Sequence, residues 1–194
     1  TGFHVTTPEA PDVQYYLWRM KEAGLTHVVL EVTSHGLAQQ RVTGVDFDIA
    51  VVTNITHEHF DYHKDYEGYI EAKGRLFEAL GKSAKKSFFP NRLAVLNKDD
   101  KSFEYLKNIT PVKQIHYSTL PGADVWSESI DLQMDGSRFK ACSNSFEIEV
   151  FTHLPGEFNI SNVLAALSAT IFGINIEPAT AAKSVESLKL VPGR

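Results

Sequence analysis

Two short apolar runs, residues 27–32 and 47–53, each break off into a polar turn, and this pattern constrains the fold more than anything else in the chain. Both runs are rich in β-branched residues and show no clean alternation, which suits strands buried on both faces. A helix is predicted ahead of the first run. Thr7-Pro8 reads as a hydroxyl cap followed by proline in the first turn, Val13, Tyr16, Leu17 and Met20 recur at helical spacing, and Gly24 ends the helix. Helix, buried strand, turn and buried strand is the rhythm of a parallel α/β sheet. Runs at 93–96 and 115–117 predict two more strands. Residues 66–80 predict a helix with Tyr69, Ile70, Leu76, Phe77 and Leu80 on its apolar face, and 102–106 a short one. Lys82, Lys85 and Lys86 read as a solvated basic patch.

The pattern changes after residue 124. Alternating stretches fall at 125–132, 138–142 and 146–151, with Asp135-Gly136 as a hairpin turn between the first two. A small antiparallel sheet at 124–153 is therefore expected as an annex to the parallel one. Helices follow at 159–172, closed by Gly173, and at 178–188. The expected fold is α/β: a mostly parallel sheet flanked by helices, carrying that annex, within one unit spanning 1–194.

Net charge is −5 with no basic stripe, which argues against a nucleic-acid partner. The apolar runs read as too short to cross a bilayer, and no signal-peptide pattern opens the chain, so no membrane partner is expected. Cys142 is the single cysteine, which leaves no disulfide within the chain and fits a cytoplasmic setting. A monomer is expected. The opening Thr1-Gly2-Phe3 and the closing Val191-Pro192-Gly193-Arg194 read as fragment ends.

Chemistry-bearing residues gather where the predicted strands run out, the place where open parallel sheets bind ligands. Glu31-Val32-Thr33-Ser34-His35-Gly36-Leu37 follows the first strand. A carboxylate there can hold a hard cation, or can equally be a strand-end glutamate capped by its own Ser and Thr. Thr53-Asn54 follows the second strand and leads into His57-Glu58-His59-Phe60-Asp61-Tyr62-His63. This alternation resembles the H-x-H-x-D-H signature of metallo-β-lactamase-like zinc hydrolases, but Tyr62 stands where that signature needs histidine. His57 and His63 are read as turn or helix caps. Gly81-Lys82-Ser83 is not a phosphate-binding loop, since its first glycine would have to fall at Leu76 inside a helix. Asn159 and Asn162 share one face of a helix's first turn, where side-chain amides can read a purine edge; by spacing alone, Asn159 also suits a plain N-cap.

Taken together these pieces resemble the Mur ligase family, nearest the branch that adds the third residue to UDP-MurNAc-dipeptide. The resemblance is carried by Thr6-Thr7-Pro8, Glu31 to Leu37, Gln39-x-Arg41, Thr53-Asn54, His59-Phe60-Asp61-Tyr62-His63, Glu71-Ala72-Lys73 and Gly156-x-Phe158-Asn159-x-x-Asn162, in the family's order. It implies a central ATP-handling domain. It implies that Thr6, Thr7, Thr33, Gln39 and Arg41 hold the UDP-MurNAc-peptide, and that Glu31 and His59 bind Mg2+. Lys73 would carry a CO2-derived carbamate and, with His59, serve catalysis. Asn54, Asn159, Asn162 and Arg194 would contact ATP. The reaction implied joins an amino acid to a peptide carboxylate through an acyl-phosphate, with ATP becoming ADP and phosphate.

The family's Gly-x-x-Gly-Lys-Thr loop, its N-terminal uridine-binding domain and its C-terminal domain have no counterpart in these residues. The chain alone is therefore not expected to catalyse the reaction, and its own ATP affinity is expected to be weak. Ligases of the folylpolyglutamate or cyanophycin synthetase type, and a zinc hydrolase built on His57, His59 and Asp61, stand as alternatives.

Overall fold

The computed structural model describes residues 6–55, 65–84, 86, 89 and 92–190. A six-stranded sheet runs in the order β1 (Ile49–Val51), β2 (Leu93–Asn97), β3 (Lys113–Ser118), β4 (Val125–Gln133), β5 (Gly136–Ser143), β6 (Glu147–Thr152). β1 to β4 pair in parallel, and β4–β5–β6 are antiparallel. Parallel neighbours usually need a long crossover. The β3–β4 connection escapes this because only Tyr117↔Val125 and Ser118↔Trp126 pair, so β4 starts beside the end of β3 and runs on past it. The antiparallel strands thus extend the one sheet, over the span where the antiparallel annex was expected. The hairpin turn is Met134-Asp135, with Gly136 already paired to Gln133.

Side-chain alternation along β2 shows how the core is built. Leu93 and Val95 point into one apolar cluster with Tyr117, Val125, Phe139, Leu164 and Leu167; Ala94 and Leu96 point into another with Ala50, Tyr69, Phe77 and Leu106. Helices α5 (Glu157–Ile174) and α6 (Pro178–Ser187) cover the first face, and α3 (Tyr66–Leu80) and α4 (Phe103–Ile109) the second. This is the three-layer helix–sheet–helix arrangement expected from the sequence. α3 occupies the predicted span, and Asp65 caps it by accepting from Gly68 N at 2.8 Å.

Several local expectations are corrected. Residues 27–32 are not a strand: they carry no assigned secondary structure and no ladder, and Val28 and Val29 are exposed. The first helix, α1 (Ala10–Glu22), starts at Glu9 with Pro11 in its first turn, because the Thr7 hydroxyl is committed to residues 31 and 33 instead of capping. Gly173 lies inside α5, which ends at Asn175 in the left-handed conformation. At 173 a Cβ would lie 2.3 Å from the tip of the Ile49 side chain, so glycine lets the helix cross close over β1 without displacing that side chain. α5 is, by length and composition, apolar enough to span a bilayer, contrary to the reading of the runs as too short; its Ile160, Leu164 and Leu167 instead pack into the core. Lys86 is not free in a basic patch but ion-paired to Asp48 at 2.6 Å, Lys82 is exposed, and Lys85 lies outside the described residues.

Candidate functional site

The first half of the site is a knot of side chains that the sequence scatters over 35 residues. Thr7 is buried, and its hydroxyl donates to the Glu31 carbonyl at 3.1 Å. With that proton used, the same oxygen accepts from Thr33 N at 2.9 Å and sits 3.2 Å from the Thr33 hydroxyl. Thr33 is the N-cap of the short helix α2 (Ser34–Ala38) and accepts from Gly36 N at 3.0 Å. Gly36 lets α2 press onto Thr7, since a Cβ there would lie 3.0 Å from the threonine Cβ and Cγ2.

Arg41 closes the knot. Its side chain is 13% exposed, and three donors of the fork are engaged: Nη1 to the Thr7 carbonyl at 2.8 Å, Nη2 to Glu9 Oε1 at 3.0 Å, and Nε to Gln39 Oε1 at 2.9 Å. Four of the five residues expected to hold the acceptor peptide are thus linked in one chain of hydrogen bonds, Thr33 to Thr7 to Arg41 to Gln39, and the fifth, Thr6, is exposed beside them. Glu9 joins the knot although its sequence position gave no sign of it. The Glu31 side chain is exposed at the same loop, with its carbonyl pinned by Thr7. α2 packs against α3, which carries Lys73. Lys73 is half-buried, with Nζ 5.4 Å from the centre of the Tyr69 ring.

The second half is the carboxyl edge of the parallel strands. The Asn97 amide donates to the Thr53 carbonyl at 2.6 Å, the Tyr117 hydroxyl to the Val52 carbonyl at 2.9 Å, and Ile55 N to Asp100 Oδ2 at 3.2 Å. Asn54 is exposed in the middle of this segment. Burial pushes the Tyr117 phenol well above its ordinary pKa, against a lowering hydrogen bond with Ser161 near the start of α5. That contact brings the start of α5, with Asn159 and Asn162, to the same edge. Asn159 is not the cap: Gly156 holds that position, and Asn159 donates to the Pro155 carbonyl at 2.9 Å while its Oδ1 accepts from Asn162 Nδ2 at 3.4 Å. Sequence reasoning missed Asn97, Asp100 and Tyr117. The available signal was Asn97-Lys98-Asp99-Asp100 standing directly after a buried strand, as Glu31 and Thr53-Asn54 were expected to stand.

His57, His59, Asp61, His63 and Arg194 lie outside the described residues, and among the described residues no group of three or more His, Cys, Asp or Glu converges on a metal site. Gly81-Lys82-Ser83 closes α3 as a helix end, with Gly81 in the right-handed conformation, which agrees with its rejection as a phosphate loop.

The model of the Mur ligase middle domain matches residues 2–170. The UDP-N-acetylmuramyl-tripeptide synthetase 2 of Oceanobacillus iheyensis is 38% identical over 189 residues, covering 97% of this chain and 38% of that protein. A solved structure of a UDP-N-acetylmuramoyl-L-alanyl-D-glutamate–2,6-diaminopimelate ligase superposes with a TM-score of 0.84 at 32% identity, over 97% of this chain and 38% of the other. The MurF ligase of Thermotoga maritima in complex with ADP shares the fold alone, with a TM-score of 0.58 at 18% identity over 76% of this chain and 32% of the other. The chain therefore spans a little over a third of the length of the relatives it matches. A single sheet with helices on both faces and this family match overturn the zinc-hydrolase alternative. The chain belongs to the Mur ligase middle-domain family.

Proposed function

We propose that the protein containing this chain joins an amino acid to the free carboxylate of a UDP-MurNAc-dipeptide, driven by ATP, in peptidoglycan synthesis. The observation that carries this reading is the knot of Thr7, Thr33, Gln39 and Arg41, which gathers the residues that the resemblance assigns to the acceptor peptide. In the reaction, a carboxylate oxygen of the dipeptide attacks the γ-phosphorus of ATP and ADP leaves. The amine of the incoming amino acid then attacks the acyl carbon, the carbon–oxygen bond to phosphate breaks, and the amine loses a proton. Thr6, Thr7, Thr33, Gln39 and Arg41 orient the dipeptide, with the Thr7 carbonyl and Glu9 holding Arg41 in place. Asn54, Asn159 and Asn162 meet the nucleotide at the strand edge, and the resemblance adds Arg194 as a further ATP contact.

The resemblance assigns Mg2+ to Glu31 and His59. Glu31 offers an exposed carboxylate, the kind of oxygen donor Mg2+ takes, and Mg2+ is usually held by one or two carboxylates plus phosphates and water. When bound, it neutralises phosphate charge. Lys73 as an unmodified amine cannot add an anionic ligand. Its neutral nitrogen adding to CO2, with release of a proton, would convert a cation into a carbamate anion beside the phosphates. The protein acts as a cytoplasmic monomer, and the choice of incoming amino acid rests on residues outside this chain.

The test is an Arg41→Ala variant of the intact protein. Truncating one partner of a mostly buried, charge-assisted network costs about 2–3 kcal/mol. The expected result is a KM for UDP-MurNAc-dipeptide raised at least about tenfold with the KM for ATP unchanged. A shift confined to the KM for ATP would contradict the assignment.

A further inference from the structure

We propose that Asn97, Asp100 and Tyr117 form a clasp that positions Asn54 for nucleotide binding, an inference that rests on the ligase reading above. The two peptide groups flanking Asn54 are both held by side chains from neighbouring elements. The carbonyl of the preceding peptide, Thr53 O, accepts from Asn97 Nδ2 at 2.6 Å, and the single Tyr117 hydroxyl proton is shared between the Val52 carbonyl at 2.9 Å and Thr53 O at 3.3 Å. The N–H of the following peptide, Ile55 N, donates to Asp100 Oδ2 at 3.2 Å. With both planes fixed, the backbone dihedrals of Asn54 are fixed, and so is the direction in which its exposed side chain leaves the strand edge.

The clasp is itself rigid. Asn97 is 7% exposed and Tyr117 fully buried. The Asn97 amide cannot turn over, because its Oδ1 accepts from Asp99 N at 2.9 Å while its nitrogen serves Thr53. Asp100 Oδ1 accepts from Ser102 N at 2.9 Å and from the Ser102 hydroxyl. Asp99 reaches the other way, accepting from the Ser118 hydroxyl at 2.5 Å and from Thr119 N at 2.7 Å, and so ties the end of β3 to the same turn. A connection after a strand ordinarily leaves its polar backbone to water. Here three side chains from β2, the β2–α4 turn and β3 converge on residues 52–55, the arrangement by which supporting contacts hold a binding group to within a fraction of an ångström.

The experiment uses the intact protein and reads kcat, the KM for ATP, the KM for UDP-MurNAc-dipeptide and Tm. Tyr117→Phe removes one oxygen and keeps the ring. Asp100→Ala removes the acceptor for Ile55, and Asp100→Asn restores one. The expected result is a KM for ATP raised about tenfold in Tyr117→Phe and Asp100→Ala, the scale of one hydrogen bond. The KM for the dipeptide should stay unchanged, and Asp100→Asn should recover most of the loss. An unchanged KM for ATP in both variants overturns the clasp. So does a fall in kcat that follows Tm with both KM values unmoved, since that marks a structural role only. If the wild-type protein forms no ADP with these substrates, the ligase reading has failed, and the clasp falls with it.

Discussion

Residues 27–32 and β2 are comparable apolar runs in the sequence, yet they end in opposite environments. Ala94, Val95 and Leu96 have no exposed surface, whereas Val28 is 43% and Val29 101% exposed. The difference lies in the neighbours. β2 is paired in parallel on both sides and has a helical layer over each face. Residues 27–32 pair with no strand among the described residues, and β1, the first strand of the sheet, pairs only with β2. Strand preference is a fit to a pleated, half-buried surface, so a β-branched run without ladder partners or a covering layer has nothing to fit. The contact that does reach this region is polar: the Thr7 hydroxyl on the Glu31 carbonyl, at the edge of the candidate site.

This contrast can be broken by substitution. Leu96→Ala should have the largest effect, about 2–5 kcal/mol off the unfolding free energy, because a fully buried side chain is lost from packed surroundings. Urea denaturation of this chain measures it. Acidification should act on the sheet next. Burial lowers the pKa of His116 in β3, with Lys107 and Lys98 acting in the same direction and Asp124 and Glu104 opposing. A base whose folded-state pKa lies below its ordinary value of about 6.5 binds more protons when unfolded. Stability is therefore complete above about pH 6.5 and declines as the pH falls towards the folded-state value. His116→Gln should make the stability curve shallower over that interval, and an unchanged curve would remove His116 from the account. Val29→Ser should have the smallest effect, within about 0.5 kcal/mol in the same urea series. A loss as large as that of Leu96→Ala would show that residues 27–32 are packed after all.

What was legible in the sequence follows the same division. β2, β3 and α3 were read closely because burial on both faces, or on one helical stripe, writes itself into side-chain type. The span at 27–32 was misread because an apolar run records what a segment could pair with, not what it does pair with. The start of α1 was misplaced because a threonine hydroxyl before proline looks the same whether it caps its own helix or, as Thr7 does, holds a loop 26 residues away. Gly173 was taken for a stop, since close helix–strand approach and chain reversal both favour glycine and leave no other trace. At the site, Thr7, Thr33, Gln39 and Arg41 were named together only through the family resemblance, since spacing alone does not join them. Asn97, Asp100 and Tyr117 act through hydrogen bonds to backbone far away in sequence, which no spacing rule records.

The proposal to test is that the protein containing this chain is a ligase acting on UDP-MurNAc-dipeptide. Measuring ADP release by the intact protein supplied with ATP, Mg2+, UDP-MurNAc-dipeptide and candidate amino acids tests it most directly. The account predicts ADP formation that requires both the dipeptide and an amino acid, and its loss in Lys73→Arg, because a guanidinium keeps its charge and cannot take up CO2. No ADP formation under any of these combinations, or wild-type turnover in Lys73→Arg, would contradict it.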